Sequence, residues 1–418
     1  MLNSSMINLS KLLPIWLIWI ASSLFYEHQY FFRVIINTIA PKLKSDFNIE
    51  LTSIEYLISL FFFSYMIFLP LAGILVKKYP KQNILLIAVV INQIGIIFCY
   101  FSISIHWLIV SQILFGASGP CALIISLSYI KELNLKRYTV LLNSITLSFG
   151  GLGVYLAGQP FFSLMTLYDW RTALLIFSLV NIVIIIMILL SAIKSNTLNY
   201  SHSQHILTSA PKKPINLKHY FNWKLWGPSL YGLFQFLPMI SFISSWQVPF
   251  MRLNIPKQEN YALDSIVIVF IGLNVGLISL GILCAYGIHK RVILMFSSAL
   301  GCIAFTVIIF APITNFYLVS IVLFLLGFSM SSYTVSTSIV QATSNKESLS
   351  TSLGINLFLL NIGGLIMLFI TTAIMKYDLR IWGHPELLAF HYTYIFIPIS
   401  LSIAFILAIF IPIGKKEL

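Results

Sequence analysis

The chain has 418 residues, of which 59% are hydrophobic and only 9% are charged. Soluble globular proteins carry about 25% charged residues, so this composition indicates an integral membrane protein and excludes a sizeable soluble domain. The net charge of +13 comes from lysines and arginines that occur in ones to threes between apolar runs, a pattern typical of topology signals and not of a nucleic-acid-binding surface.

Six apolar runs precede and six follow a polar stretch, and each run is long enough to cross a bilayer at about 20 residues per helix. The polar stretch, residues 194–224, contains two prolines and is interpreted as a linker. The first run is too long for a removable signal peptide. The sequence therefore predicts an all-α membrane protein with twelve transmembrane helices in two pseudo-symmetric six-helix bundles, residues 1–193 and 225–418. The runs are 12–38, 53–76, 83–105, 107–130, 139–160, 171–193, 225–250, 263–287, 292–312, 314–340, 350–375 and 389–413.

The first span carries the densest group of polar side chains. A substrate carboxylate suits its main polar stripe, because guanidinium binds carboxylate bidentately and aromatic rings pack against the rest of a substrate. The alternative is that the arginine only extends to the outer lipid headgroups. The stripe has the helical spacing i, i+4, i+7 and i+11 and consists of Tyr26, Tyr30, Arg33 and Asn37.

Glu27 is the only acid well inside an apolar run. It lies about 600° around the helix from Arg33, so the two side chains do not pair on one face. An ionisable group in a spanning helix calls for a partner or a function, and Glu27 is therefore the first candidate for binding a coupling proton, with His28 as the second. The alternatives are a structural hydrogen bond for Glu27 and a packing role for His28.

Three features of the first half recur in the second half at offsets of 208 to 213 residues. They join equivalent spans of the six-plus-six arrangement and indicate a duplication. Repeated bundles are typical of secondary transporters, with the substrate path between the halves. The pairs are Gly73-Ile74-Leu75 with Gly281-Ile282-Leu283, Gly116 with Gly327, and Asn143, Gly150 and Gly151 with Asn356, Gly363 and Gly364.

The second half supplies amides and aromatic rings where the first half supplies charges. Such amides are costly to bury without hydrogen bonds. The alternative for each of them is therefore a structural role, in which it bonds to another protein group. Together they would line a cavity that recognises a zwitterion or a polyol. The candidates for substrate binding are Trp246, Gln247, Asn274, Tyr333, Asn356 and Asn361. The four cysteines lie in apolar stretches without metal-ligand spacing, so we expect no metal site.

Basic residues are divided unevenly between the two alternating sets of loops. The set that contains both termini and the linker holds 17 of the 25 lysines and arginines. Because basic loops stay in the cytoplasm, the termini and the linker are predicted to be cytoplasmic, which requires an even number of spans.

Three motifs stand at characteristic places: a basic loop at residues 73–81, a glycine-rich fifth span, and Asp169-Trp170-Arg171 at the start of the sixth span. On these motifs the chain resembles the major facilitator superfamily over essentially its whole length. Residues 25–33, 46–49 and 61–65 are similar to the phagosomal nutrient transporters (Pht type) of intracellular bacteria, which take up amino acids or nucleosides. The resemblance implies alternating access and a role in gating and helix packing for Gly73, Gly150, Gly151, Gly153, Gly158 and Pro160.

Two positions depart from the superfamily pattern. Lys77 stands where the loop motif has an acid, and Gln112 stands where many proton-coupled relatives have an arginine. The charge clamp of the loop and a proton relay through that arginine are therefore not carried over.

These observations predict a secondary active transporter that takes up a small polar metabolite together with protons. An amino acid is the first expectation, and a nucleoside or an organic acid is also compatible. We expect a monomer in the lipid bilayer of a bacterial inner membrane, without a cofactor or an enzymatic activity. A drug or siderophore exporter of the same superfamily is the alternative. A polytopic membrane enzyme is a remote one, because the loops are short.

Overall fold

The computed structural model describes residues 9–49, 51–199, 222–243, 246–254, 259–311, 315–345, 347–377 and 386–412. All the regular elements in these ranges are helical. A short 3-10 turn, Lys136–Tyr138, precedes α5, and a π turn, Met239–Ile243, follows α8. The α-helices are α1 Leu9–Phe47, α2 Leu51–Lys78, α3 Lys81–Tyr100, α4 Ile105–Glu132, α5 Thr139–Ala157, α6 Gln159–Met165, α7 Trp170–Asn199, α8 Trp223–Pro238, α9 Gln247–Asn254, α10 Glu259–Ala285, α11 Lys290–Phe310, α12 Phe316–Met330, α13 Tyr333–Thr343, α14 Leu349–Tyr377, α15 Glu386–Tyr394 and α16 Phe396–Phe410.

Four of the twelve predicted spans each consist of two helices: α5 with α6, α8 with α9, α12 with α13, and α15 with α16. Gly158 separates α5 from α6 with φ −85° and ψ −122°, and Pro160 stands in the first turn of α6. Proline is tolerated there because the first N–H groups of a helix have no intrahelical acceptor. The break in the fifth span thus lies at the glycine and the proline that the sequence singles out.

Ten helical segments of the described chain are long and apolar enough to cross a membrane. They correspond to the predicted spans two to six and eight to twelve. The first predicted span lies in α1, which has 39 residues, and the seventh begins with α8, which has 16 residues before the π turn.

Contacts between residues divide the chain into two compact units. The first residues of α5 belong to unit 2 and the first residues of α14 to unit 1. The linker 194–224 lies for the most part outside the described residues, so the domain boundary stays a prediction. Unit 1 contains Met1–Leu135, Thr146–Leu217 and Asn345–Gly354, and unit 2 contains Lys136–Ile145, Lys218–Ser344 and Ile355–Leu418.

One glycine contact has the same form in both units. In unit 1, a Cβ on Gly116 of α4 would overlap the carbonyl oxygen of Phe61 on α2. In unit 2, a Cβ on Gly327 of α12 would overlap the carbonyl oxygen of Val269 on α10. Phe61 and Val269 are 208 residues apart, which is one of the offsets of the sequence repeat. The packing of each unit therefore agrees with a duplication, and the glycines are needed because the backbones touch.

The C-terminal end of α1 is tied to the start of α7 within unit 1. Asp46 accepts hydrogen bonds from Trp170 Nε1 at 2.8 Å and from Arg171 Nη1 at 3.0 Å. Arg171 also donates to the carbonyl oxygen of Ser102, between α3 and α4, at 3.2 Å. The bonds from Trp170 and Arg171 hold the pKa of the Asp46 carboxyl below its usual range. Two residues of the motif at the start of the sixth span therefore join three elements.

Candidate functional site

The guanidinium of Arg33 lies against two aromatic rings in unit 1. Its Cζ atom is 4.4 Å from the ring centroid of Phe62 on α2 and 5.0 Å from that of Tyr30 on α1. Among the described residues, Arg33 forms no ion pair and no hydrogen bond. A half-buried arginine with aromatic contacts and unused N–H groups is able to donate to an oxyanion.

Tyr26 and Tyr30 pack together and against α5. Their ring centroids are 4.8 Å apart. A Cβ on Gly150 would lie 2.9 Å from the ring of Tyr26 and 3.2 Å from that of Tyr30, and a Cβ on Gly153 would overlap the carbonyl oxygen of Glu27. Both glycines therefore let α5 approach the part of α1 that carries the polar stripe.

The other members of the gating and packing set lie apart from this contact. Gly151 and Pro160 are half-buried on the fifth span. Gly73, at the end of α2, faces the start of α14 within unit 1, where its Cβ would lie 2.7 Å from the carbonyl oxygen of Ser350. Asn37, the last residue of the predicted stripe, is exposed one turn beyond Arg33.

Glu27 and His28 are buried on α1 without polar partners among the described residues. Glu27 is 5% exposed and forms no hydrogen bond or ion pair with a described residue. His28 is 1% exposed, and neither ring nitrogen has a hydrogen-bond partner in the described part of the chain. Its ring contacts Phe32 edge-on at 4.9 Å and stacks over Phe31 at 6.3 Å. His28 therefore makes the packing contacts of its alternative interpretation, and Glu27 is the buried carboxyl without a partner.

Two residues outside the predicted site, Phe62 and Tyr65, lie beside Arg33 and Tyr30. Phe62 contacts Arg33 directly. Tyr65 on α2, 8% exposed, lies near Tyr30, Arg33 and Cys121. Phe62 and Tyr65 are three residues apart and so share a helix face, and that spacing was the signal in the sequence. Which helix this face meets was not readable from the sequence.

The candidates in unit 2 are distributed over four helices and the turn before α9, and their amides bond to protein groups. Asn356 accepts from Thr337 Oγ1 and donates to Ser229 Oγ, both at 3.0 Å. Asn274 and Asn361 donate to carbonyl oxygens one turn back on their own helices, at 2.9 and 2.8 Å. These three amides make the hydrogen bonds of a structural role.

The remaining three candidates of unit 2 differ in burial and in their contacts. Gln247 donates to Ser265 Oγ at 2.9 Å, while its Oε1 has no partner in the described residues. Trp246 is half-buried and its ring contacts Phe390 edge-on at 5.9 Å. Tyr333 is 8% exposed, with its ring 4.8 Å from that of Phe236. The structure thus assembles the arginine and its aromatic rings into one cluster in unit 1 and gives no comparable cluster of these candidates in unit 2.

Residues 28–368 match the model of the Major Facilitator Superfamily. The chain belongs to this family. No curated protein matches the sequence. The fold class predicted from the sequence is confirmed, and the protein is a multi-pass membrane protein of the transporter type that defines the superfamily.

Solved transporters of the superfamily share the fold of this member. FucP in the outward conformation is 16% identical, with 97% of this chain and 100% of that chain covered and a TM-score of 0.68. The proton:xylose symporter XylE bound to 6-bromo-6-deoxy-D-glucose is 13% identical, with 95% and 96% covered and a TM-score of 0.71. A variant of the E. coli fucose:proton symporter FucP gives 15% identity and a TM-score of 0.65, with 98% and 99% covered. At these identities the likeness shows the fold alone.

Proposed function

We propose that this member of the superfamily is a secondary active importer of a small polar metabolite that carries a carboxylate. Arg33 is the observation that supports this substrate class, since its N–H groups have no acceptor among the described residues and its position is held by Tyr30 and Phe62. A guanidinium in a membrane protein is costly unless it binds an anion or reaches water, and a substrate carboxylate supplies the anion. Amino acids and organic acids carry such a group and are the first classes to test. Nucleosides, which the Pht-type resemblance also suggests, lack a carboxylate and are the alternative.

Proton coupling is the second part of the proposal. Glu27 is a buried carboxyl without an ion-pair partner in the described chain, so it is free to bind and release a proton during a transport cycle. FucP and XylE are proton symporters for fucose and xylose, respectively, and have the same fold at low identity. Their coupling ion supports the proposal without deciding it, because ion specificity depends on individual side chains.

The proposed location is a bacterial inner membrane, with both termini in the cytoplasm and the chain working as a monomer surrounded by lipid. The excess of basic residues in one set of loops supports this orientation. Alternating access then moves the substrate between the two sides of the membrane.

Uptake into proteoliposomes tests the proposal. Radiolabelled amino acids, nucleosides and organic acids are offered to the reconstituted full-length chain, with and without an inward pH gradient. We expect at least one carboxylate-bearing compound to accumulate above equilibrium only when the gradient is imposed. Liposomes without protein are the control. Accumulation that ignores the gradient contradicts proton coupling, and gradient-driven extrusion from inside-loaded vesicles would establish the exporter instead.

A further inference from the structure

We infer that Arg33, held between α1 and α2 by Tyr30 and Phe62, binds a planar conjugated carboxylate, of the arylcarboxylate class, in preference to an α-amino acid. The inference rests on the proposed substrate site at Arg33 and narrows the class of its substrate. It also adds Phe62 to the site as a positioning residue. We call Tyr30, Arg33 and Phe62 the arginine cluster.

The contacts of the guanidinium define where a ligand oxygen is able to bind. The rings of Phe62 and Tyr30 lie 4.4 and 5.0 Å from Cζ of Arg33 in cation–π contacts. The N–H groups of the guanidinium lie in its plane, and none of them has a protein acceptor in the described part of the chain. A bidentate carboxylate binds in that same plane and uses two of these N–H groups.

Planarity then selects among carboxylates. In an arylcarboxylate the ring is coplanar with the carboxylate, so a bidentate pair places the ring in the guanidinium plane. The ring then lies beyond the guanidinium, beside the aromatic side chains of the arginine cluster, where aromatic pairs form offset or edge-to-face contacts. Such aromatic contacts change affinity by up to about tenfold. A saturated ring of similar size is puckered and gains little from the same faces.

The charges around Arg33 disfavour an ammonium group. An α-amino acid brings its ammonium within a few ångströms of the carboxylate and hence of the guanidinium. No carboxylate of the described residues lies within ion-pair distance of Arg33 to receive it. Glu27 is six residues away along α1, about 600° around the helix. Two cations would therefore share one partly buried site without an acid between them.

Phe62 can be tested against a neighbour that shares its chemistry. Phe62 is half-buried against Arg33, whereas Phe63 is 64% exposed and forms no contact with Arg33 among the cation–π pairs of the described residues. Replacing either phenylalanine by leucine removes one ring from α2. Only F62L removes a ring from the arginine cluster.

The experiment measures equilibrium binding to the purified full-length chain in detergent. The probes are benzoate, cyclohexanecarboxylate, benzamide and L-phenylalanine at equal ionic strength, and the readouts are isothermal titration and the shift in melting temperature. We expect benzoate to bind about tenfold tighter than cyclohexanecarboxylate and L-phenylalanine, and benzamide not to bind. Binding should be lost in R33Q, fall about tenfold for benzoate in F62L and stay unchanged in F63L.

Unliganded melting temperatures show whether each variant is folded. If R33Q is not, R33K replaces it, and benzoate binding should then fall about tenfold because one of two hydrogen bonds is lost. Equal binding of benzoate and cyclohexanecarboxylate, unchanged benzoate binding in R33Q or R33K, or no binding of any probe to the wild type overturns the inference. The assay needs no transport. Benzoate binding without uptake of any compound would therefore count against the proposed function alone, and uptake of an amino acid without benzoate binding would count against this inference alone.

Discussion

Substituting Arg33 distinguishes two roles for this side chain: binding a substrate carboxylate, or extending to the outer lipid headgroups. Arg33→Lys keeps the positive charge and loses the planar donor pair, so a substrate carboxylate loses one of two charge-assisted hydrogen bonds. We expect the apparent KM for uptake to rise about tenfold or more, with normal expression, which corresponds to the ~1.5–3 kcal/mol of a hydrogen bond to a charged group.

The apparent KM of Arg33→Lys is compared with that of Arg33→Ala, measured in the same kind of vesicle. An unchanged apparent affinity in both variants would show that the guanidinium only reaches the lipid headgroups. The cation–π contacts with Tyr30 and Phe62 are the reason to expect the other result, because they hold the arginine against the protein.

Glu27 is predicted to carry the driving proton. Glu27→Gln mimics the protonated carboxyl at nearly equal volume, so the variant should bind substrate and change conformation but bind no proton. We expect uphill accumulation driven by a pH gradient to be abolished, while exchange of internal for external substrate continues. Gradient-driven uptake and counterflow are measured side by side.

Two results contradict the role of Glu27. Full accumulation by Glu27→Gln rules out the carboxyl as the proton carrier, and loss of exchange together with accumulation indicates a structural defect. His28 is a poor substitute in this role, because its ring is enclosed by Phe31 and Phe32.

At the scale of elements, two of the helix contacts in this protein differ in their chemistry. One is direct backbone contact at glycine, as at Gly116 and Gly327, which the duplication places in both units. The other is a polar bond between helix ends, as between Asp46 at the end of α1 and Arg171 at the start of α7. Only the second depends on pH.

The pair of Asp46 and Arg171 predicts how stability changes with pH. Because the bonds from Trp170 and Arg171 lower the pKa of Asp46 in the folded state, the carboxylate stabilises the fold above the unfolded-state value of about 3.9. That stabilisation is lost as the pH falls through the lower folded-state pKa. Asp46→Asn should therefore reduce the melting temperature at neutral pH, and the difference from the wild type should vanish in acid.

The pH series is measured on purified protein in detergent, with Asp169→Asn as the matched control. Asp169 Oδ2 lies 3.8 Å from Arg171 Nη1. The Asp169 side chain is more exposed than that of Asp46, and the Trp170 indole N–H donates to Asp46. The role of the carboxylate charge would be contradicted if the melting temperatures of Asp46→Asn and the wild type differed by a constant amount down to strongly acidic pH.

At the scale of the whole molecule, the prediction concerns topology. The basic residues place both termini and the linker in the cytoplasm, since 17 of 25 lie in that set of loops. Reporter fusions at Ser203 and at the C-terminus should both show a cytoplasmic location, and a fusion at Tyr168, between α6 and α7, should show the opposite one. An exterior signal at Ser203 or at the C-terminus would overturn the twelve-span arrangement.

The sequence by itself determined the fold class and the approximate position of ten of the twelve spans, and it indicated a duplication. These properties follow from local quantities: the length of apolar runs, the distribution of basic residues and the recurrence of glycine at a fixed offset. The breaks inside four spans were less visible. Gly158 and Pro160 signalled one of them, whereas the turn between α12 and α13 carries only serines, Ser331 and Ser332, which are compatible with a continuous helix.

Only the tertiary structure decided what each polar side chain contacts. The sequence placed Arg33 on a stripe with Tyr26 and Tyr30, but the closest ring to its guanidinium belongs to Phe62 on another helix. Asn356, predicted as a substrate-binding candidate with a structural role as its alternative, bonds to Thr337 and Ser229. The physical reason is that every helix in an apolar solvent is hydrophobic on most of its surface, so hydrophobic periodicity does not fix its rotation. Close packing at small residues and the pairing of a few polar groups fix that rotation, and both depend on segments far apart in the chain.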